Sequence, residues 1–105
     1  MNSLELRLKY KKFNPQGYFF DAETMRFWRS KVEHILTERH DGCVFFMTSE
    51  DSWEKEPVSR FTLRVLIPKE NGGIKTLAAQ AFEREFREEA IEALKEYKKT
   101  FILEK

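Results

Sequence analysis

The chain has 105 residues, a formal net charge of +1, 41% hydrophobic and 35% charged residues, and a single cysteine. That length predicts one domain with one core, the apolar mass excludes a disordered chain, and the near-neutral charge argues against a surface built throughout to hold nucleic acid. One cysteine leaves no intrachain disulfide, and its place in an apolar run reads as a buried small hydrophobe.

Charge is unevenly spread: residues 1–40 carry +3, residues 41–73 carry −2 and residues 74–105 balance. The N-terminal residues lack a basic region followed by an apolar run, and no apolar stretch approaches the roughly 20 residues of a membrane span. A reducing, cytoplasmic setting without membrane association is expected.

Leu4, Leu6, Leu8 and Tyr10 alternate with Glu5, Arg7, Lys9 and Lys11, the period of a half-buried strand with a mostly basic wet row. Asn14, Pro15, Gln16 and Gly17 break it, Tyr18 to Phe20 resume an apolar segment, and Asp21 is a suitable N-cap with Glu23 in the first turn. Two patterns compete beyond it. Met25, Trp28, Val32, Ile35 and Leu36 fit a helical stripe, whereas Val32, His34 and Leu36 alternate; the favoured division is a helix over 22–29, then a strand over 31–38 that turns at Asp41-Gly42.

The strand over 43–50 places Cys43, Phe45 and Met47 on one side and Val44, Phe46 and Thr48 on the other, which predicts a central strand covered on both faces. Over 58–67, Leu63, Val65 and Ile67 point inward and Arg60, Thr62, Arg64 and Leu66 outward to a wet face. Pro68 and Asn71-Gly72-Gly73 end it, and residues 74–77 add a short edge strand. From 78 to 99 the spacing of Ala79, Phe82, Phe86, Ala90, Ala93, Leu94 and Tyr97 predicts a helix, with Glu83 and Arg87 paired and Lys95, Lys98 and Lys99 set against the C-terminal dipole. The tail from Phe101 is a further strand or a docked apolar end. The whole predicts an α+β fold: an antiparallel meander sheet of four to five strands packed by a long C-terminal helix and a short N-terminal helix.

Catalytic signatures are sparse. His34, His40 and Cys43 match no zinc spacing, Ser49 lacks a strand-turn-helix elbow, and Gly72-Gly73 is a turn and not a phosphate loop. The expectation is a protein that is not an enzyme and takes no metal or cofactor. The loop Glu50-Asp51-Ser52-Trp53-Glu54-Lys55-Glu56 sets an aromatic among acids; Trp53 with Glu50, Asp51 and Glu54 is a candidate protein contact, or Trp53 folds over the sheet edge while the acids solvate the turn. Arg60 and Arg64 share the outward face with Thr62, either as a platform for single-stranded nucleic acid or as structural partners of acids across the sheet.

The segments Tyr18-Phe19-Phe20, Met25-Arg26-Phe27-Trp28, Val44-Phe45-Phe46-Met47-Thr48-Ser49-Glu50 and Arg60-Phe61-Thr62-Leu63-Arg64, followed by Ile74-Lys75-Thr76, resemble a family of small uncharacterised proteins of phages and related mobile elements. The resemblance spans residues 18–95, with the Leu4 to Tyr10 strand outside it, and implies a setting and a compact α+β fold but no catalytic residues. Within it, Arg60 or Arg64 is placed to pair Glu50 across the hairpin. The expected function is a non-enzymatic accessory protein that binds a host or phage protein, with single-stranded nucleic-acid binding as the alternative. A symmetric homodimer, with Phe101, Ile102 and Leu103 as candidate contacts, stands beside a monomer.

Overall fold

The computed structural model describes residues 28–52, 59–70 and 74–103. Over these residues the chain forms four strands, β1 (Trp28–Ile35), β2 (Val44–Ser52), β3 (Ser59–Pro68) and β4 (Ile74–Glu83), then a 3-10 turn (Arg84–Phe86) and a helix, α1 (Arg87–Thr100). The strands lie in chain order and each pairs antiparallel with the next, a meander. No helix among the described residues is long and apolar enough to cross a membrane.

Alternation sorts the sheet's two faces. Cys43, Phe45, Met47, Phe61, Leu63 and Val65 point toward α1 and form the core with Ala90, Ile91 and Leu94 of the helix. Phe45 makes edge-to-face contacts with Tyr97 (5.2 Å) and Phe101 (5.7 Å), the geometry that opposes a ring's positive edge to a negative face. The opposite face of the two central strands is buried as well, at Val44, Phe46, Thr48, Glu50, Thr62, Arg64 and Leu66. The expected double covering of β2 is therefore found, whereas the wet outer face expected for β3 is not: Thr62, Arg64 and Leu66 are buried and Arg60 keeps part of its exposure.

Between β1 and β2 the chain reverses at Gly42, whose φ of +87° is a region that side-chain-bearing residues rarely enter. Asp41 Oδ1 accepts the Cys43 backbone N–H at 3.1 Å and Gly42 N donates to Arg39 O at 2.9 Å, so the turn's amides are bonded locally.

Three sequence expectations change. Residues 28 and 29, assigned to a helix over 22–29, begin β1; the rest of that helix, like the Leu4 to Tyr10 strand, lies outside the described residues. The strand assigned to 31–38 ends at Ile35, with Leu36 N still donating to Phe45 O. The largest change is at 78–83, read as helix and found as the second half of β4. Leu77, Ala78, Ala79 and Ala81 have good helix propensity, but β3 is ten residues long and pairs along its length with β4, from Arg60 opposite Glu83 to Pro68 opposite Ile74. Glu83 consequently precedes the helix, and Arg87 lies 3.6 Å from Glu88.

Ladder irregularities occur on both outer strands of the described sheet, between Val32 and His34 in β1 and at Ala79 of β4, opposite the step from Leu63 to Arg64. An extra residue twists an edge and opposes pairing with another sheet.

Candidate functional site

The meander register places Thr48 opposite Thr62 and Glu50 opposite Arg60, and Arg64 follows on the same face. The result is a buried polar network around Glu50, which is fully buried. Its Oε1 accepts Thr48 Oγ1 at 2.6 Å and Arg64 Nη2 at 3.0 Å; its Oε2 accepts Thr62 Oγ1 at 2.9 Å and lies 3.6 Å from Arg60 Nε. Arg64 Nε donates in turn to Thr48 Oγ1 at 2.9 Å. A carboxylate without such partners would be very costly inside a protein; with them it ties β2 to β3 by charge-assisted bonds. Each oxygen has a donor from a side chain of β2 or β3, so the carboxylate holds the two strands together.

A second constellation lies at the other end of β2. Arg39 Nε donates to both oxygens of Asp41, at 3.0 and 3.1 Å, and Nη2 also meets Oδ2. Arg39 Nη1 donates to the carbonyls of Lys98 (3.0 Å) and Phe101 (2.8 Å), groups left over where α1 ends. The guanidinium also sits 5.2 Å from the Phe45 ring centre and 5.6 Å from that of Phe101. Arg39 thus clamps the helix C-terminus to the β1–β2 connection. Its hydrogen bonds hold the Asp41 carboxyl well below the usual carboxylate range, and Asp41 raises Arg39 in return. Burial pushes the neighbouring Cys43 thiol up to about 11, with Asp41 adding to the rise, and burial also raises Tyr97.

Two cavities flank this end of α1. One, of about 400 Å³, is lined by Leu36, Thr37, Arg39, Lys95, Lys98 and Lys99. The other, of about 370 Å³, is lined by Ile67, Lys75, Leu77, Phe101, Ile102 and Leu103. Phe101 and Leu103 pack partly buried against the core, as expected of a docked apolar end, while Ile102 is 80% exposed.

The candidate residues named from the sequence fall into three groups. Glu50, Arg60 and Arg64 come together, as one of the two readings had it. Asp51 is half-buried and accepts Ser59 Oγ at 2.7 Å. Trp53 and Glu54 lie outside the described residues. Arg39 was passed over because its partners lie 59 and 62 residues away in the chain, a separation no local pattern reveals. Among the described residues no group of three or more His, Cys, Asp or Glu side chains is placed to hold a metal ion.

A small α+β domain, a four-stranded antiparallel meander carrying one C-terminal helix and braced by a buried carboxylate, is the class these features define. The chain belongs to a family of unknown function, DUF7447, which it matches over residues 6–101. That span takes in most of the Leu4 to Tyr10 segment, so the segment is part of the family pattern and not an addition to it. No curated protein and no solved structure matches the chain.

Proposed function

We propose that this chain is a non-enzymatic accessory protein of a phage or mobile element that acts in the cytoplasm by binding a host or phage protein. The observation that carries the reading is Ile102. A single exposed apolar residue is ordinary on a protein surface. What sets Ile102 apart is its place on a cavity of mixed polar and apolar lining, whose other apolar side chains, Ile67, Leu77, Phe101 and Leu103, are held by the core and the sheet. A concave surface that combines these apolar side chains with Lys75 suits an aliphatic or aromatic anchor flanked by a polar group from a protein partner, the kind of contact that carries most of the energy of an interface.

The Glu50 network supports the same reading from the other side, since the polar groups most suited to chemistry are bonded to one another. Trp53 and Glu54 stand as a second contact, without Glu50, which is fully buried in the network. The mobile-element setting rests on the resemblance of the sequence segments. Single-stranded nucleic acid is the weaker reading, because it asks for Arg60, Thr62 and Arg64 to face solvent together and two of these, Thr62 and Arg64, are buried.

Affinity capture from host lysate with wild type, Ile102→Asp and Trp53→Ala tests the proposal. Loss of a recovered protein by at least about tenfold in Ile102→Asp, at unchanged melting temperature, supports it. Identical recoveries from all three overturn it. Light scattering at micromolar concentration tells a hetero-partner from a second copy: twice the 12.6 kDa of one chain for wild type, falling to one chain's mass for Ile102→Asp, would assign the cavity to a homodimer.

A further inference from the structure

The groove between α1 and the residues after β1 is rigid, basic at its rim and apolar at its floor, and it is separate from the Ile102 cavity. We infer that it docks an acidic peptide segment bearing an apolar side chain, contributed by the partner protein. The inference deepens the protein-binding reading and rests on it.

Rigidity comes from the floor and one wall. Leu36 packs against the core and its backbone N–H is bonded to Phe45 O at 2.9 Å. Arg39 is fixed by Asp41, by two helix carbonyls and by two rings. Its charge is matched by Asp41, so it shapes the groove more than it charges it.

The charge comes from the lysines. Lys95 leans toward Glu92 at 3.1 Å, an exposed pair of small energetic weight. Among the described residues no hydrogen bond or ion pair engages the amines of Lys98 and Lys99, although Glu96 shares their helix and Glu38 lies one residue from Arg39. The helix dipole accounts for cations in the last turn. It does not account for all three facing one groove, because Lys95 and Lys99 are four apart on the helix and like charges so spaced repel. An acidic ligand would relieve that repulsion while its apolar group covers Leu36 and the lysine stems.

The lining favours a peptide over a nucleic acid. Among the described residues no aromatic side chain lines the groove to stack a base, and three lysines with one neutralised arginine are a short track for a phosphate backbone.

Fluorescence anisotropy on the full chain tests this with a short labelled peptide of alternating glutamate and leucine, its glutamine counterpart, a glutamate and serine counterpart, and a labelled single-stranded oligonucleotide. Expected is saturable binding of the glutamate and leucine peptide that weakens as salt rises, with each counterpart about tenfold weaker. Lys98→Glu with Lys99→Glu should weaken it by about tenfold, and Lys69→Glu with Arg84→Glu, an equal change in net charge at exposed residues outside both cavities, should leave it within about twofold. If charge reversal lowers the melting temperature, Lys98→Gln with Lys99→Gln is read instead, with an expected loss of about threefold. No binding at low salt, equal loss in both double variants, or tighter binding of the oligonucleotide would overturn the inference. An Ile102→Asp variant that loses its captured partner while wild type ignores the peptide removes this groove alone and leaves the protein-binding reading standing.

Discussion

Arg64 donates from Nη2 to Glu50 Oε1 at 3.0 Å across the β2–β3 ladder, with the Arg64 side chain 5% exposed and that of Glu50 fully buried. Two hydroxyls and a second arginine complete the surroundings of the carboxylate, so its burial is compensated only as long as these partners remain.

Removing one side of that pair should be strongly destabilising. Glu50→Ala and Arg64→Ala are each expected to cost about 3–5 kcal/mol, since each strands a buried charge. The double variant should cost less than the two single costs together, because it leaves one unmatched charge fewer. Urea denaturation supplies all the free energies; simple additivity would mean that the two groups are not coupled.

The Arg39 clamp predicts an acid sensitivity. Asp41 is held below the ordinary carboxylate range by Arg39, so between its native and unfolded values the unfolded chain binds more protons. Its stabilisation is complete above about pH 4 and fades as pH falls below that. Asp41→Asn should lower stability at neutral pH by about 1–3 kcal/mol and flatten the acid limb of the stability profile. A variant whose melting temperature falls with acid as steeply as wild type would show that Asp41 does not contribute to that limb.

Cys43 should be chemically silent in the native protein. It is fully buried and its thiol is pushed to about 11, so an aromatic disulfide reagent at mildly alkaline pH should label native protein on the order of a thousandfold more slowly than urea-unfolded protein. The sign on stability is the reverse of Asp41: the contribution is intact below about pH 8.5 and is lost as pH rises toward 11, where the unfolded thiol ionises first. Similar labelling rates for native and unfolded protein would contradict the packing described for β2.

At Gly42 two effects combine. The φ of +87° disfavours any side chain, and an added Cβ would meet Pro68 Cγ at 3.0 Å. Gly42→Ala is therefore expected to cost about 1–3 kcal/mol. Gly42→Asn tolerates the left-handed region better while carrying the same Cβ, so the difference between the two losses reports the backbone part. Equal losses would assign the whole effect to contact with Pro68.

Periodicity was enough to place β2 and β3 within about two residues of where they lie and to mark Asp41-Gly42 as the turn between β1 and β2, because in both cases the information is local. The alternation of Cys43, Phe45 and Met47 with Val44, Phe46 and Thr48 assigned both faces of β2 correctly, and both are buried. Residues 78–83 failed for the opposite reason. Their composition favours a helix, and only the unpaired edge of a ten-residue β3 draws them into the sheet.

The site divides in the same way. Glu50, Arg60 and Arg64 were recognisable from the sequence as residues able to pair or to bind, since a two-residue period puts them on one face of adjacent strands. Choosing between pairing and binding needed the burial of Arg64, which depends on what covers the sheet. Arg39, Ile102 and the three lysines of the basic groove acquire their positions from the docking of α1 on β2, across about sixty residues of chain. Sequence determines a residue's chemistry and its local period; which groups end up buried, clamped or exposed is decided by packing between elements that a one-dimensional pattern does not bring together.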